Sequence, residues 1–174
     1  ATDFIQVNTM LNQILVSRVL ELVDSSKKGV IVDLFCGLGN FTLPLARGAG
    51  EVVGYEGQQV LVDRAMENAK QNSINNVRFK TVDLYTKEPV AIPEMEHAEC
   101  LLLDPHRSGA REVVEQLNRQ SPKRILYISC NPATLARDAG ILVNEKRYSL
   151  KGSGMIDMFP NTAHVESIAL FERR

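Results

Sequence analysis

The chain has 174 residues, of which 44% are hydrophobic and 24% charged, with a formal net charge of −1. That length suits one domain able to bury roughly two-thirds of its unfolded surface, so folding needs no staple. No apolar run approaches the ~20 residues of a membrane span. Ala1 to Asn12 shows neither the basic start nor the apolar block of a secretory signal, so a soluble chain without a membrane helix is expected.

The three cysteines, Cys36, Cys100 and Cys130, are an odd and sparse set. They match neither a disulfide framework nor a zinc spacing, so no metal is expected in this chain and a reducing cytoplasm is the expected compartment. The balanced charge gives no broad basic footprint for nucleic acid. Basic residues gather only locally, at Lys27–Lys28, at Arg119, Lys123 and Arg124, at Lys146–Arg147 and at Arg173–Arg174.

Short β-branched runs alternate with helical stretches, without repeats, which predicts a mostly parallel α/β sheet. Asn8 to Val23 predicts a helix with Leu11, Leu15, Val19 and Leu22 on one face, broken by Gly29. Val30 to Phe35 is an almost wholly apolar strand, as expected where both faces are covered. Cys36 to Asn40 is a glycine-bearing turn, and Phe41 to Arg47 a helix with Pro44 in its first turn. Glu51 to Glu56 is a second strand, and Gln58 to Asn72 a helix whose Leu61, Ala65 and Ala69 recur every four residues. Val77 to Val82 is a third strand, followed by a loop over Glu88 to Glu96. Glu99 to Asp104 and Arg124 to Ser129 are strands that precede and follow a helix over Ala110 to Arg119. A helix over Pro132 to Asn144 leads to a strand over Tyr148 to Gly154. The Met155 to Ala163 loop, with Phe159, precedes the last strand, His164 to Phe171. With no helix before it, that strand is expected to pair antiparallel at an edge.

Ligands of such sheets bind at the carboxyl ends of the strands. Four acids fall there. Asp33 precedes the Gly37-x-Gly39 turn, whose glycines let a ligand approach the backbone and leave a helix N-terminus open. A carboxylate there would repel a pyrophosphate but suit a cationic amino group. Glu56 lies about twenty residues on, where an acid commonly binds ribose hydroxyls. Asp83 could accept from an exocyclic amine, and Asp104 stands in Asp104-Pro105-His106-Arg107.

Ser129-Cys130-Asn131-Pro132 follows the fifth strand, with Asn131 suited to a helix cap and Pro132 to the first helical position. A thiol there has its thiolate favoured by the helix dipole. A buried structural cysteine is the alternative, and Cys100, inside an apolar strand, reads as one. Alternation places His164 and Glu166 on one face of the last strand, as site residues or solvent-facing ones.

Phe4-Ile5-Gln6-Val7-Asn8, the Asp33 to Asn40 turn, Asp104-Pro105-x-Arg107-x-Gly109, Ser129-Cys130-Asn131-Pro132 and His164-x-Glu166 together resemble the RNA (uracil-5-)-methyltransferase family. Tyr127 to Asp138 and Asp157-Met158-Phe159-Pro160 are most similar to its RumA branch, which modifies large-subunit ribosomal RNA. The resemblance implies a Rossmann-like, class I S-adenosylmethionine-dependent fold. Its sheet would have seven strands, mostly parallel with an antiparallel last strand, and helices on both faces. It implies that Gln6, Asp33, Phe35, Gly37, Asn40, Glu56, Asp83 and Asp104 line the S-adenosylmethionine site, Asp83 standing where the family is less uniform. Cys130 would be the nucleophile and Glu166 the base, with Asp104 beside them. Arg107 and His164 would contact the RNA; the target base must leave its stack, so Phe159 in the 155–163 loop is a candidate contact, with core packing as the alternative reading. Relatives usually carry a small residue or proline where this chain has His106. They also carry an N-terminal RNA-binding barrel, a central domain and, in some branches, an iron–sulfur cluster. Residues 1–174 are therefore expected to be the catalytic domain alone, a monomer that binds cofactor but methylates RNA poorly by itself.

Carbon 5 of uracil is a poor nucleophile. A thiolate adding to carbon 6 makes an enolate whose carbon 5 can take a methyl group, and a base then removes the carbon-5 proton. A transfer RNA uracil-5 enzyme is an alternative within the family. A methyltransferase acting on protein or a small molecule would share the turn without needing Cys130 and Glu166. A dinucleotide-dependent oxidoreductase is opposed by Asp33 and by the lack of a full G-x-G-x-x-G. A cofactor-dependent RNA-binding module would need neither reacting residue.

Overall fold

The computed structural model describes residues 9–24, 27–157 and 165–174, so Gln6, Phe159 and His164 lie outside it. Helix α1 (Thr9–Val23) buries Leu15, Val19 and Val23, one residue per turn. Strand β1 (Val30–Leu34) runs into the glycine turn and the short α2 (Thr42–Ala46). Then come β2 (Glu51–Glu56), α3 (Gln59–Gln71), β3 (Val77–Thr81), a 3₁₀ turn at Pro93–Glu96 and β4 (Cys100–Leu103). The chain closes with α4 (Arg111–Gln116), β5 (Arg124–Ser129), α5 (Pro132–Asn144), β6 (Tyr148–Asp157) and β7 (Val165–Arg173).

The seven strands lie in the order β3-β2-β1-β4-β5-β7-β6. The first five are mutually parallel, and β7 runs antiparallel to both β5 and β6. Strand order reverses between β1 and β4, which opens the ligand crevice of this architecture at their carboxyl ends. All four residues of β4 are buried because each face carries a core. Ile31, Cys100, Leu102, Leu126, Ile128 and Ile168 pack with Leu15 and Val19 of α1 and with Leu45 beside β2. Val32, Leu101, Ile125, Tyr127 and Phe171 pack with Val113 and Val114 of α4 and with Leu135 and Leu142 of α5.

Three boundaries differ from the sequence expectation. The last strand is antiparallel as expected, yet it lies inside the sheet, and β6 takes the edge. The middle of β7 is buried, whereas residues 150–155 of β6 are exposed. Lys151 and the register shift between Leu150 and Gly152 suit an edge that must not recruit another strand. Second, β6 runs to Asp157, three residues past Gly154, because its pairing continues through Ile156↔Glu166 to Asp157↔Val165. Third, α4 stops before Arg119, because Leu117 turns extended (ψ 141°) and the Asn118 N–H donates to the Ser121 hydroxyl at 2.9 Å. Among the described residues no helix is long and apolar enough to cross a membrane.

The far flank of the sheet is held by a buried carboxylate. Glu94, 4% exposed, accepts from the Tyr55 hydroxyl and from Lys80 Nζ at 2.9 Å, with Arg78 at 3.3 Å. Burial raises its pKa, but the Tyr55 and Lys80 hydrogen bonds outweigh burial and bring it down from 4.5 to about 2. A carboxyl depressed by folding stabilises above its unfolded pKa and loses that contribution as pH falls through the folded one. Glu94→Gln is therefore expected to cost about 2 kcal/mol near neutrality. Urea titrations should show the gap to wild type narrowing steadily below about pH 4.5.

Candidate active site

Side chains alternate faces along a strand and keep the same face across a register pair. Asp33, Leu102, Leu126 and Leu170 form one line across β1, β4, β5 and β7. Two residues beyond Leu102 is Asp104, four beyond Leu126 is Cys130, and four before Leu170 is Glu166. The ladder pair Ser129↔Ser167 sets Cys130 opposite Glu166 at the next step. The sheet thus carries Asp33, Asp104, Cys130 and Glu166 to one face at its carboxyl end, above the core that packs α1.

On the β1–β2 side, the turn after β1 holds Phe35, Gly37 and Gly39 at φ of 65°, 54° and 88°. Glycine adopts these values freely, whereas Phe35 costs about 1 kcal/mol of strain. The Gly37 N–H donates to Glu56 Oε2 at 3.1 Å, and the Gln58 N–H donates to Oε1 at 3.1 Å. Glu56 is thereby fixed at the end of β2, with acceptor capacity left on each oxygen. A Cβ on Gly37 would meet nothing within 4 Å, so the turn faces open space. Asn40 and Asn12 exchange amide hydrogen bonds of 2.9 and 3.1 Å, which anchors the turn to α1.

Asp33 is 1% exposed. Its Oδ2 accepts from Thr42 Oγ1 at 2.5 Å, while Oδ1 is buried and unpartnered among the described residues. Burial above all, helped by the charge of Glu56, raises this carboxyl to about 7. A buried oxygen that lacks a partner, beside an acid suited to vicinal hydroxyls, fits a ligand carrying both an ammonium group and a ribose. Asp83 is exposed, two residues past the end of β3, and its Oδ1 accepts from the Tyr85 N–H at 2.9 Å. Tyr85 in turn lies 5.3 Å from the Phe35 ring and 6.3 Å from His106, and its hydroxyl accepts from the His106 N–H.

On the β5–β7 side, Asn131 caps α5 by accepting from the Ala133 N–H at 3.1 Å. Cys130 is half-buried just outside that cap. Its thiol is pushed up by burial, then by Glu166 and Asp104, with Arg107 opposing them. Burial first, and then two acids that arrive from other strands, act against the thiolate that the α5 terminus favours. Asp104 is pushed well above the carboxylate range by burial, Glu166 and Asp33, and Glu166 is raised by burial. Among the described residues no cluster of three or more His, Cys, Asp or Glu could hold a metal ion.

The structure also brings in residues to which the sequence gave no role. Thr42 holds Asp33, Asn68 Nδ2 donates to the Leu38 carbonyl at 3.1 Å, and Tyr127 with Asp138 grips the start of α4. Thr42 sits one turn past the glycines. That spacing is compatible with capping a strand-end acid but does not dictate it.

A family profile described as tRNA (Uracil-5-)-methyltransferase matches residues 1–174. The 23S rRNA (uracil(1939)-C(5))-methyltransferase RlmD of Xanthomonas campestris is 54% identical over 172 residues, which is 99% of this chain and 39% of that protein. The protein of the same name from Stenotrophomonas maltophilia is 54% identical over 173 residues, with the same coverage. The chain therefore spans about two-fifths of the length of these curated relatives. The structure of the Pyrococcus abyssi tRNA (uracil-54, C5)-methyltransferase in complex with S-adenosyl-L-homocysteine superposes with a TM-score of 0.83 at 32% identity, covering 98% of this chain and 40% of that one.

Two measurements follow from the electrostatics. Asp33 has its folded pKa raised, so its ionisation costs stability increasingly as pH climbs toward 7. Asp33→Asn is expected to gain about 2 kcal/mol relative to wild type between pH 5 and 8 in urea titrations. Glu166→Gln removes a charge that raises the thiol, so iodoacetamide should alkylate Cys130 about threefold faster at pH 8 than in wild type.

Proposed function

The chain belongs to the tRNA (uracil-5-)-methyltransferase family, and from that premise we propose that it is the catalytic domain of an enzyme that methylates carbon 5 of a uridine in RNA, with large-subunit ribosomal RNA as the substrate. The observation that carries this reading is the convergence of Cys130, Asp104 and Glu166 on one face beside the glycine turn. The 54% identity to enzymes named for 23S rRNA favours ribosomal over transfer RNA. The protein acts as a cytoplasmic monomer.

S-adenosylmethionine, when bound, supplies an electrophilic sulfonium methyl. Its amino group is suited to the unpartnered Asp33 oxygen and its ribose hydroxyls to Glu56. Gly37 leaves space for it, and Phe35, Asn40 and Asp83 shape the rim, with Gln6 assigned by the resemblance. The Cys130 thiolate adds to carbon 6 of the uracil, and the ring electrons move onto the carbon-4 oxygen. Burial, Glu166 and Asp33 push the Asp104 carboxyl well up, and in its protonated form it can donate a hydrogen bond to a ring carbonyl as that charge develops. As the carbon-4 carbonyl re-forms, carbon 5 takes the methyl group, and the methyl–sulfur bond would break with its electron pair left on sulfur, giving S-adenosylhomocysteine. Glu166 removes the carbon-5 proton, the enolate collapses, and the Cys130–carbon 6 bond breaks to return the thiolate. A carboxylate whose pKa is raised by burial is a better base than a solvated one. Arg107, exposed and near enough for its charge to act on the Cys130 thiol, is suited to an RNA phosphate, and Phe159 and His164 are candidates for the same strand. The base must leave its stack to reach the thiol, which costs a few kcal/mol.

The test is mass spectrometry of the full-length enzyme that carries this domain, mixed with S-adenosylmethionine and ribosomal RNA carrying 5-fluorouridine. Fluorine at carbon 5 blocks the final proton removal, so a covalent adduct on Cys130 is expected, and none in Cys130→Ala. An adduct with transfer RNA alone would overturn the ribosomal assignment. No adduct with either RNA, with cofactor binding intact, would overturn the nucleophile.

A further inference from the structure

We propose that Asp138 is a positioning residue for Cys130: its carboxylate ties α5 and β5 to the 107–110 loop and so holds Arg107 beside the thiol. The inference rests on the reading of Cys130 as nucleophile.

Helix α5 buries Leu135, Asp138 and Leu142, at spacings of three and four. That is the core stripe of an amphipathic helix, in which position 138 would ordinarily be apolar. An acid there is fully buried, which is costly unless every lone pair is engaged. Its Oδ2 accepts from the Tyr127 hydroxyl at 2.6 Å and from the Ala110 N–H at 2.8 Å. Its Oδ1 accepts from Arg137 Nε at 2.8 Å. Tyr127 precedes Cys130 by three residues on β5, and Ala110 opens α4. The one carboxylate therefore joins the strand that carries the nucleophile to the loop that carries Arg107.

The neighbouring contacts pull in the same direction. Arg137 donates to the Ser108 carbonyl at 2.9 Å. Asn131 Nδ2 and Thr134 Oγ1 both donate to the Arg107 carbonyl, at 3.0 and 3.3 Å. Gly109 sits at φ +82°, and a Cβ there would come within 2.6 Å of both Asp138 Oδ2 and Arg137. The loop passes this close only because residue 109 lacks a side chain. Among the described residues the charged groups that act on the thiol are Glu166 from β7 and Asp104 and Arg107 from the loop after β4. Of these three side chains Arg107 is the one that favours the thiolate, so loosening its loop should raise the pH at which Cys130 reacts.

Alkylation of Cys130 by iodoacetamide, followed by peptide mass analysis across pH 6–10, tests this without any turnover. Asp138→Ala is expected to raise the midpoint by about half a unit, a roughly threefold slower rate below it. Asp138→Asn keeps an acceptor for the Ala110 N–H and should recover part of the shift. Leu142→Ala, a core truncation on the same helix, should lower Tm comparably yet leave the midpoint in place. Tyr127→Phe removes one hydroxyl and should shift the midpoint in the same sense, which decides the matter even if Asp138→Ala does not fold. Midpoints equal to wild type in the Asp138 and Tyr127 variants, or an equal shift in Leu142→Ala, would overturn the proposal. A moved midpoint together with no fluorouridine adduct in wild type would leave the positioning role standing and remove Cys130 as the nucleophile.

Discussion

The arrangement depends on placing three carboxyl groups and a thiol on one face at one end of a sheet, where they repel when ionised. Two unit charges at 6 Å and an effective dielectric constant of 20 cost about 3 kcal/mol. Burial first, and for Asp33, Asp104 and Cys130 the neighbouring acids after it, raises all four groups, so the site favours their protonated forms. Such a cluster survives because the rest of the sheet is packed on both faces.

The same placement explains what was legible in the sequence. A parallel strand buried on both faces announces itself as an apolar run, and the residue that ends the run must lie at the sheet's edge. Asp33, Glu56, Asp104 and Cys130 are therefore assignable to one end of the molecule from the sequence alone. Glu166 followed from alternation along β7. The insertion of β7 between β5 and β6 was not legible. The β5 partner of β7 comes from some forty residues earlier in the chain, and nothing local in Val165–Arg173 distinguishes an edge from an interior strand.

Side-chain partners were least legible. The pairing of Asn40 with Asn12 spans 28 residues, and the grip of Thr42 on Asp33 crosses a turn containing three left-handed residues. Asp138 sits at a position where a helical pattern would be scored as amphipathic with one polar error. Its buried engagement with Tyr127 and Ala110 gives that error its meaning. The thiol illustrates the same limit. Reasoning from Ser129 to Pro132 alone favours a thiolate, because the helix terminus is the only charge the local sequence contains, whereas Glu166 and Asp104 arrive through the sheet.

A loop after a parallel strand ordinarily tolerates change, since it is tied down only at its ends. The 104–110 loop is tied along its length by α5 and β5, through the Arg107 and Ser108 carbonyls and the Ala110 N–H. Four of these ties use the side chains of Asn131, Thr134, Arg137 and Asp138, the cap and first two turns of one helix, which starts directly after Cys130. The helix that caps the nucleophile's turn therefore also fixes the neighbouring loop. Asp104 and Arg107, which act on the thiol with opposite sign, are held in one frame with it. A displacement of α5 would move all three together, while a break at Asp138 would separate them.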